Sequence, residues 1–155
     1  MKHPETHIEI NKIDTSFRID KWENTKLWLS YIAKQEGCVV GFLNYSLVND
    51  NALLELNKER LKHDYYTDII TFDLSDNPKI IEGDIYISAD RVVENAQTFH
   101  VKRMDEMRRV MAHGLLHLLK YKDKTKSQRV VMREKEQFYL NEFNTRYKKR
   151  KRNNV

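Results

Sequence analysis

The hydrophobic period changes near residue 89, and this change limits the folds that the chain can adopt. Four segments before it have the alternation or the β-branched and aromatic residues of strands: residues 6–13, 38–48, 67–74 and 83–88. Two helices are predicted between them, one with Asp20 as its N-cap and Gly37 at its end, and one from the cap residue Asn49 to Leu61. From residue 89 onward the apolar residues recur at helical spacing, over residues 89–99, 104–119 and 127–147. Early strands and late helices, without strict alternation, predict an α+β fold in which a mixed sheet of about four strands packs against helices.

The length and the cysteine content restrict the organisation further. A chain of 155 residues suffices for one core and is short for two, so we expect a single domain over residues 1–147 and a basic, disordered tail over 148–155. The single cysteine, Cys38, excludes an internal disulfide and a cysteine-rich zinc site, so nitrogen and oxygen atoms must hold any metal. The N-terminus has no apolar signal core, and no apolar run is long enough to span a membrane. We therefore expect a cytoplasmic protein.

The tail carries much of the positive charge of the chain. The formal net charge is +5, and the run "RYKKRKR" occupies residues 146–152. Such a run is typical of an arm that binds phosphate or nucleic acid, and equally of a solvated end that aids solubility. Both interpretations stay open from the sequence.

Two histidines lie four residues apart in the stretch "HGLLHLLKYKD", residues 113–123. On a helix, His113 and His117 share a stripe with Glu106, about 120° from the apolar stripe that contains Met111. Residues one turn apart can direct both imidazole rings at one ion, as in helical zinc sites. The alternative is that they are helix residues without a chemical role.

Asp123 favours the metal site. It lies ten residues after His113, which is where the long zincin motif places its third ligand. A carboxylate is an ordinary zinc ligand, and three protein ligands leave one position open. Gly114 stands where such peptidases have their general base, which argues against a peptidase. We therefore predict one Zn²⁺ per chain, held by His113, His117 and Asp123 on a central helix and the loop after it.

Three blocks of the chain are similar to a known family. "HGLLHLLKYKD" matches the pattern H-G-x-L-H-L-x-G-Y-D-H at His113, Gly114, Leu116, His117, Leu118 and Tyr121. "LNKERLKHDYYTDIITF", residues 56–72, and "GDIYIS", residues 83–88, resemble two further blocks in the same order. The sequence thus resembles the bacterial YbeY family, metal-dependent endoribonucleases associated with ribosomal RNA maturation. The resemblance implies an α+β fold, a bound zinc and single-stranded RNA as substrate.

The chain departs from the family pattern at several positions. Asp123 replaces its third histidine, Lys120 its glycine and Lys122 its aspartate. The family's arginine falls at Leu61, with Arg60 one position earlier. The resemblance therefore implies catalytic roles for His113 and His117, and for Arg60 if it contacts the phosphate; otherwise Arg60 is a solvent-exposed helix residue. Lys120 and Lys122 are further candidates for phosphate contacts.

The leading hypothesis is a zinc-dependent, single-strand-specific endoribonuclease. It would act in 16S rRNA 3′-end maturation and in ribosome assembly and quality control, with ribosomal RNA or the small ribosomal subunit as partner. One alternative is an rRNA-binding assembly factor that keeps zinc for folding and cleaves little or nothing. Another is a helix-turn-helix DNA-binding protein that uses the basic C-terminal region, which predicts no metal dependence.

Overall fold

The computed structural model describes residues 7–61 and 67–147, with only the backbone described for Arg60 and Leu61. The helices and strands follow the order predicted from the sequence: β1 (His7–Lys12), α1 (Trp22–Gln35), β2 (Val39–Val48), α2 (Asp50–Leu61), β3 (Ile69–Asp73), β4 (Ile80–Ser88), α3 (Ala89–Phe99), α4 (Arg103–Leu118) and α5 (Lys126–Arg146). The predicted α+β class is confirmed.

The four strands form one mixed sheet in the order β1-β2-β4-β3. β1 and β4 both pair in parallel with β2, and β3 pairs antiparallel with β4. The parallel connections are made through helices, since parallel neighbours cannot be joined by a tight hairpin. β3 and β4 are instead joined by the short turn around Asn77 and Pro78.

The two faces of the sheet are covered unequally. Leu43, Leu47 and Ile85 point into the large core, where they meet buried residues of α1, α4 and α5. On the opposite face, α2 covers a smaller cluster of Val48, Leu53 and Ile70. α4 contacts α1, α3, α5, β3 and β4, so it is the central helix of the domain. The predicted position of the histidine pair, on a central helix, is therefore confirmed.

Gly114 allows α4 to approach the sheet closely. A Cβ atom at this position would lie 2.9 Å from Cδ1 of Ile69 and 2.9 Å from Cδ1 of Ile85. Carbon atoms normally pack about 3.5–4.0 Å apart, so a larger residue would force both isoleucine side chains to shift. Packing therefore favours glycine at this position.

Most boundaries shift by one or two residues, and the N-cap of α1 and the start of β4 differ from the prediction for reasons that the packing shows. The N-cap residue of α1 is Lys21 rather than Asp20; it has a left-handed backbone with φ 55° and no side-chain cap bond. The Asp20 carbonyl instead accepts a bond of 2.9 Å from the buried Arg108. β4 begins at Ile80, before the predicted start, because Ile80 pairs with Val39 of β2. Asn49 does cap α2, since its side-chain oxygen accepts from the backbone N–H of Ala52 at 2.8 Å.

Within residues 7–61 and 67–147, no helix is both long enough and apolar enough to span a membrane. The predicted disordered tail, residues 148–155, lies outside the described residues.

Candidate metal centre

Three potential ligand atoms converge where α4 ends. Nε2 of His113 lies 3.0 Å from Nε2 of His117. Oδ2 of Asp123 lies 3.2 Å from the latter and 3.3 Å from the former. Ligands about 2.0–2.1 Å from a tetrahedral zinc ion are separated from one another by about 3.3 Å. The three atoms thus already have the spacing of three corners of a zinc coordination sphere.

The other ring nitrogens fix which atoms face the centre. Nδ1 of His113 lies 2.5 Å from a carboxylate oxygen of Glu136, and Nδ1 of His117 lies 3.0 Å from the carbonyl oxygen of Tyr121. Both partners are acceptors, so each Nδ1 carries the hydrogen and each Nε2 presents a lone pair. Two lone pairs and a carboxylate at this separation repel one another unless a cation lies between them. The residues present therefore fit a metal ion.

The three side chains are partly open to solvent. The exposed fraction is 18% for His113, 27% for His117 and 40% for Asp123. This leaves one side from which a substrate can approach. Among the described residues, these three form the one group of histidine, cysteine and carboxylate side chains close enough to share an ion.

A buried ionic network supports His113. One carboxylate oxygen of Glu136 contacts His113, and the other accepts from Arg109 at 2.9 Å. Arg109 also binds both carboxylate oxygens of Glu106, at 3.0 and 2.6 Å. Burial alone would raise the pKa of Glu136, but the bond to His113 and the charge of Arg109 hold this pKa below its usual value. Glu136 is therefore ionised and aligns the His113 ring.

The sequence analysis did not identify Glu136 or Arg109. For Arg109 a signal exists, because Glu106, Arg109 and His113 follow one another at helical spacing along the same stripe of α4. Glu136 lies 23 residues after His113 on another helix, and sequence spacing alone could not connect the two.

The turn after α4 brings Asp123 to the histidines. Lys120 adopts φ 80°, a left-handed conformation that glycine enters more easily. The N–H of Lys120 donates to the His117 carbonyl at 2.9 Å, and that of Tyr121 donates to the Leu116 carbonyl at 3.0 Å. This pair of backbone hydrogen bonds forms a Schellman motif, which ends the helix and reverses the chain. The lysine side chain also donates to Asp73 at 2.7 Å.

We expect Lys120→Gly to be more stable than Lys120→Ala by about 1 kcal/mol. Both variants lose the exposed bond to Asp73, but only glycine relieves the left-handed backbone. Urea denaturation of the two variants and the wild type measures the difference. Equal midpoints for the glycine and alanine variants would show that the turn carries no strain.

Glu36 fixes the same loop from the opposite side. Its carboxylate accepts from the Tyr121 hydroxyl at 2.7 Å, from the Lys135 ammonium at 3.1 Å and from the Tyr139 hydroxyl. Burial would raise the pKa of Glu36, but these three donors hold it below its usual value. The ionised Glu36 thus connects the end of α1 to the loop that carries Asp123.

We expect Glu36→Gln to destabilise the protein by about 1.5–3 kcal/mol at pH 7, since it weakens hydrogen bonds to a charged acceptor. Because the folded pKa of Glu36 lies below the unfolded one, its contribution is present above the unfolded value of about 4.5. It is lost as the pH falls through the folded pKa. Urea denaturation of wild type and variant at several pH values should show that their difference in free energy of unfolding becomes smaller in acid. A difference that does not change with pH would contradict the ionised state of Glu36.

The remaining predicted residues occupy different positions. Arg60 belongs to α2, but its side chain lies outside the described part of the structure. Lys122 is exposed beside Asp123. A further carboxylate, Asp68 just before β3, lies 4.0 Å from Arg109 and so belongs to the ionic network.

The fold and the site together define an α+β domain with two histidines and a carboxylate gathered at the end of a central helix. The family model described as Endoribonuclease YbeY matches residues 6–144, and the chain belongs to the YbeY family. An endoribonuclease YbeY of Cytophaga hutchinsonii is 50% identical over 125 residues, which cover 81% of this chain and 87% of the relative.

Two further relatives agree with this result. An endoribonuclease YbeY of Flavobacterium psychrophilum is 44% identical over 77% of this chain and 84% of its own length. A Thermotoga maritima protein whose structure was solved in solution superposes with a TM-score of 0.64 at 31% identity, covering 89% of this chain and 90% of its own. The family similarity therefore extends to the three-dimensional fold.

Proposed function

We propose that the protein is a zinc-dependent endoribonuclease that cleaves single-stranded RNA. Family membership and the names of the relatives support the nuclease activity. The observation that carries the proposal is the set of three ligand atoms within 3.0–3.3 Å of one another, with both histidine Nδ1 atoms already bonded elsewhere. The proposed substrate is ribosomal RNA, in 16S 3′-end maturation and ribosome assembly, which would place the protein in the cytoplasm.

In this proposal His113, His117 and Asp123 hold the metal. Zinc, when bound, supplies a Lewis acid that polarises the phosphoryl group and acidifies water. Glu136 and the Tyr121 carbonyl keep the two imidazole rings in the ligating tautomer. Arg60 is proposed to contact the scissile phosphate and to stabilise the charge that develops on it.

Metal analysis of the purified chain, paired with an RNA cleavage assay, tests this function. We expect one zinc per chain and cleavage of a single-stranded RNA that stops with a chelator and returns when zinc is added. A matching RNA duplex should remain intact. If the protein binds zinc and RNA but yields no products at any zinc concentration, the alternative of an rRNA-binding assembly factor is correct.

A further inference from the structure

Positive charge is concentrated directly after the metal-binding loop. Residues 120–133 contain six basic side chains, and Asp123 is the one acidic residue among them. Lys120 is paired with Asp73, and Arg129 donates to the carbonyl of Lys124 at 2.9 Å. The other four form no ion pair with any described residue: Lys122, Lys124, Lys126 and Arg133. This segment therefore offers several uncompensated cations next to the candidate metal centre.

The cations of α5 lie on one exposed side of the helix, next to the position of Glu136. At about 100° per residue, Lys126, Arg129 and Arg133 fall within about 60° of one another. Glu136 lies at the edge of the same face and reaches His113. From Lys126 to Arg133 the helix rises about 10 Å. The exposed cations thus follow a line that begins at the metal loop and runs along α5.

An open cavity lies at the far end of this line. It has a volume of about 460 Å³, and its lining includes Phe99, Val101, Arg109, Arg133, Gln137 and Leu140. Phe99 is 57% exposed although it is aromatic. The cavity is also lined by the carboxylates of Asp105, Glu106 and Glu136. Arg109 binds Glu106 and Glu136, and Asp105 lies 3.8 Å from the guanidinium of Arg108. A cavity with an aromatic wall and the exposed guanidinium of Arg133 at its rim matches a base and the phosphate attached to it.

We propose that single-stranded RNA extends from the metal centre along this face of α5. Its phosphates contact Lys126, Arg129 and Arg133, and one unstacked base enters the cavity against Phe99. This inference rests on the proposed function, and it adds the path that the RNA strand follows on the protein surface. Bases in a duplex are stacked and paired, and they cannot enter such a cavity. The cavity therefore selects single strands.

The phosphate contacts are tested by the salt dependence of binding. The probe is a fluorescently labelled 2′-O-methyl oligouridylate, checked to remain uncleaved by the zinc-loaded full chain. Each phosphate contact contributes about 0.7 to the slope of log affinity against log salt for single strands, so Lys126→Gln/Arg133→Gln should reduce the slope by about 1.4. At 0.1 M salt the same contacts give a loss of up to about 25-fold. The matched control is Arg18→Gln/Arg103→Gln, two exposed cations near the N-terminal end of α4, for which we expect the wild-type slope.

The base contact is tested by Phe99→Ala. Loss of stacking should weaken binding of the probe by at least about fivefold and leave the salt slope unchanged. Phe138→Ala is the matched control, because Phe138 is 52% exposed on another side of α5. Phe99→Tyr, which keeps the ring, should restore the affinity and shows that the alanine variant lost stacking rather than folding.

The outcomes separate this inference from the proposed function. If the wild type cleaves RNA but the Lys126/Arg133 variant binds like its control, the strand does not follow α5. If Phe99→Ala binds like Phe138→Ala, no base enters the cavity. If the wild type neither binds nor cleaves single-stranded RNA, the proposed function and this inference are both wrong.

Discussion

Asp123→Ala is expected to lose zinc and RNA cleavage together. The substitution removes one of three ligand atoms and leaves two neutral imidazoles to hold the ion. We expect zinc affinity to fall by more than about 100-fold, since residues that only orient ligands already account for 10–100-fold. Competition with a chromophoric chelator measures the affinity, and the single-stranded RNA assay measures the rate.

Two matched variants make this test specific. Asp76→Ala removes an exposed aspartate from the β3–β4 turn and should change neither zinc content nor rate. Asp123→His keeps three ligands but replaces an anionic one by a neutral one, which strengthens the Lewis acid and should shift the pH–rate profile to lower pH. An Asp123→Ala protein with full zinc content and wild-type cleavage would exclude this residue as a ligand.

Glu136→Ala is expected to have the second largest effect, although the residue would not touch the metal. The variant leaves Nδ1 of His113 without its acceptor and removes one carboxylate partner from the partly buried Arg109. We expect zinc affinity to fall by about 10–100-fold and the free energy of unfolding to fall by about 3–5 kcal/mol. Glu136→Gln retains an acceptor oxygen and should lie between the alanine variant and the wild type.

Glu134→Ala is the control, because Glu134 is exposed on the same helix. Zinc affinity is measured by chelator competition and stability by urea denaturation without metal. If Glu136→Ala holds zinc as tightly as Glu134→Ala, the contact with His113 does not support the ligand.

The sequence predicted the helices and strands because their hydrophobic periods are clear, and most boundaries agree within a few residues. The start of β4 was missed because pairing with Val39 extends the strand, and a pairing partner is not visible in local sequence. The prediction that the Asp20 side chain caps α1 was wrong for a similar reason. The backbone carbonyl of Asp20 binds Arg108, which lies 88 residues further along the chain.

The residues of the candidate site also fall into two groups: those that local sequence predicts and those that only the fold brings together. His113, His117 and Asp123 were recognisable since they lie within one helix and the turn that follows it. Their supports, Glu136 and Glu36, come from α5 and from the end of α1. A contact between distant segments depends on packing, so it leaves no regular spacing. Lys120 lacks the conformational freedom of the glycine that the family pattern has at this position, yet it adopts a left-handed backbone, because the two hydrogen bonds of the Schellman motif hold it there.

The close approach at Gly114 means that three positions should not vary independently. Cδ1 of Ile69 and of Ile85 occupies the space that a side chain at position 114 would need. An alanine at 114 should therefore be harmful alone and less harmful when Ile85 is shortened to valine, which removes one of the two close methyl groups, with a favourable coupling in a double-mutant cycle. Since His113 is the neighbouring residue, the same compensation should restore zinc affinity. Across related sequences, the size of the residue at position 114 should covary with the sizes of the residues at positions 69 and 85. A change of core volume at these positions should therefore also change metal binding.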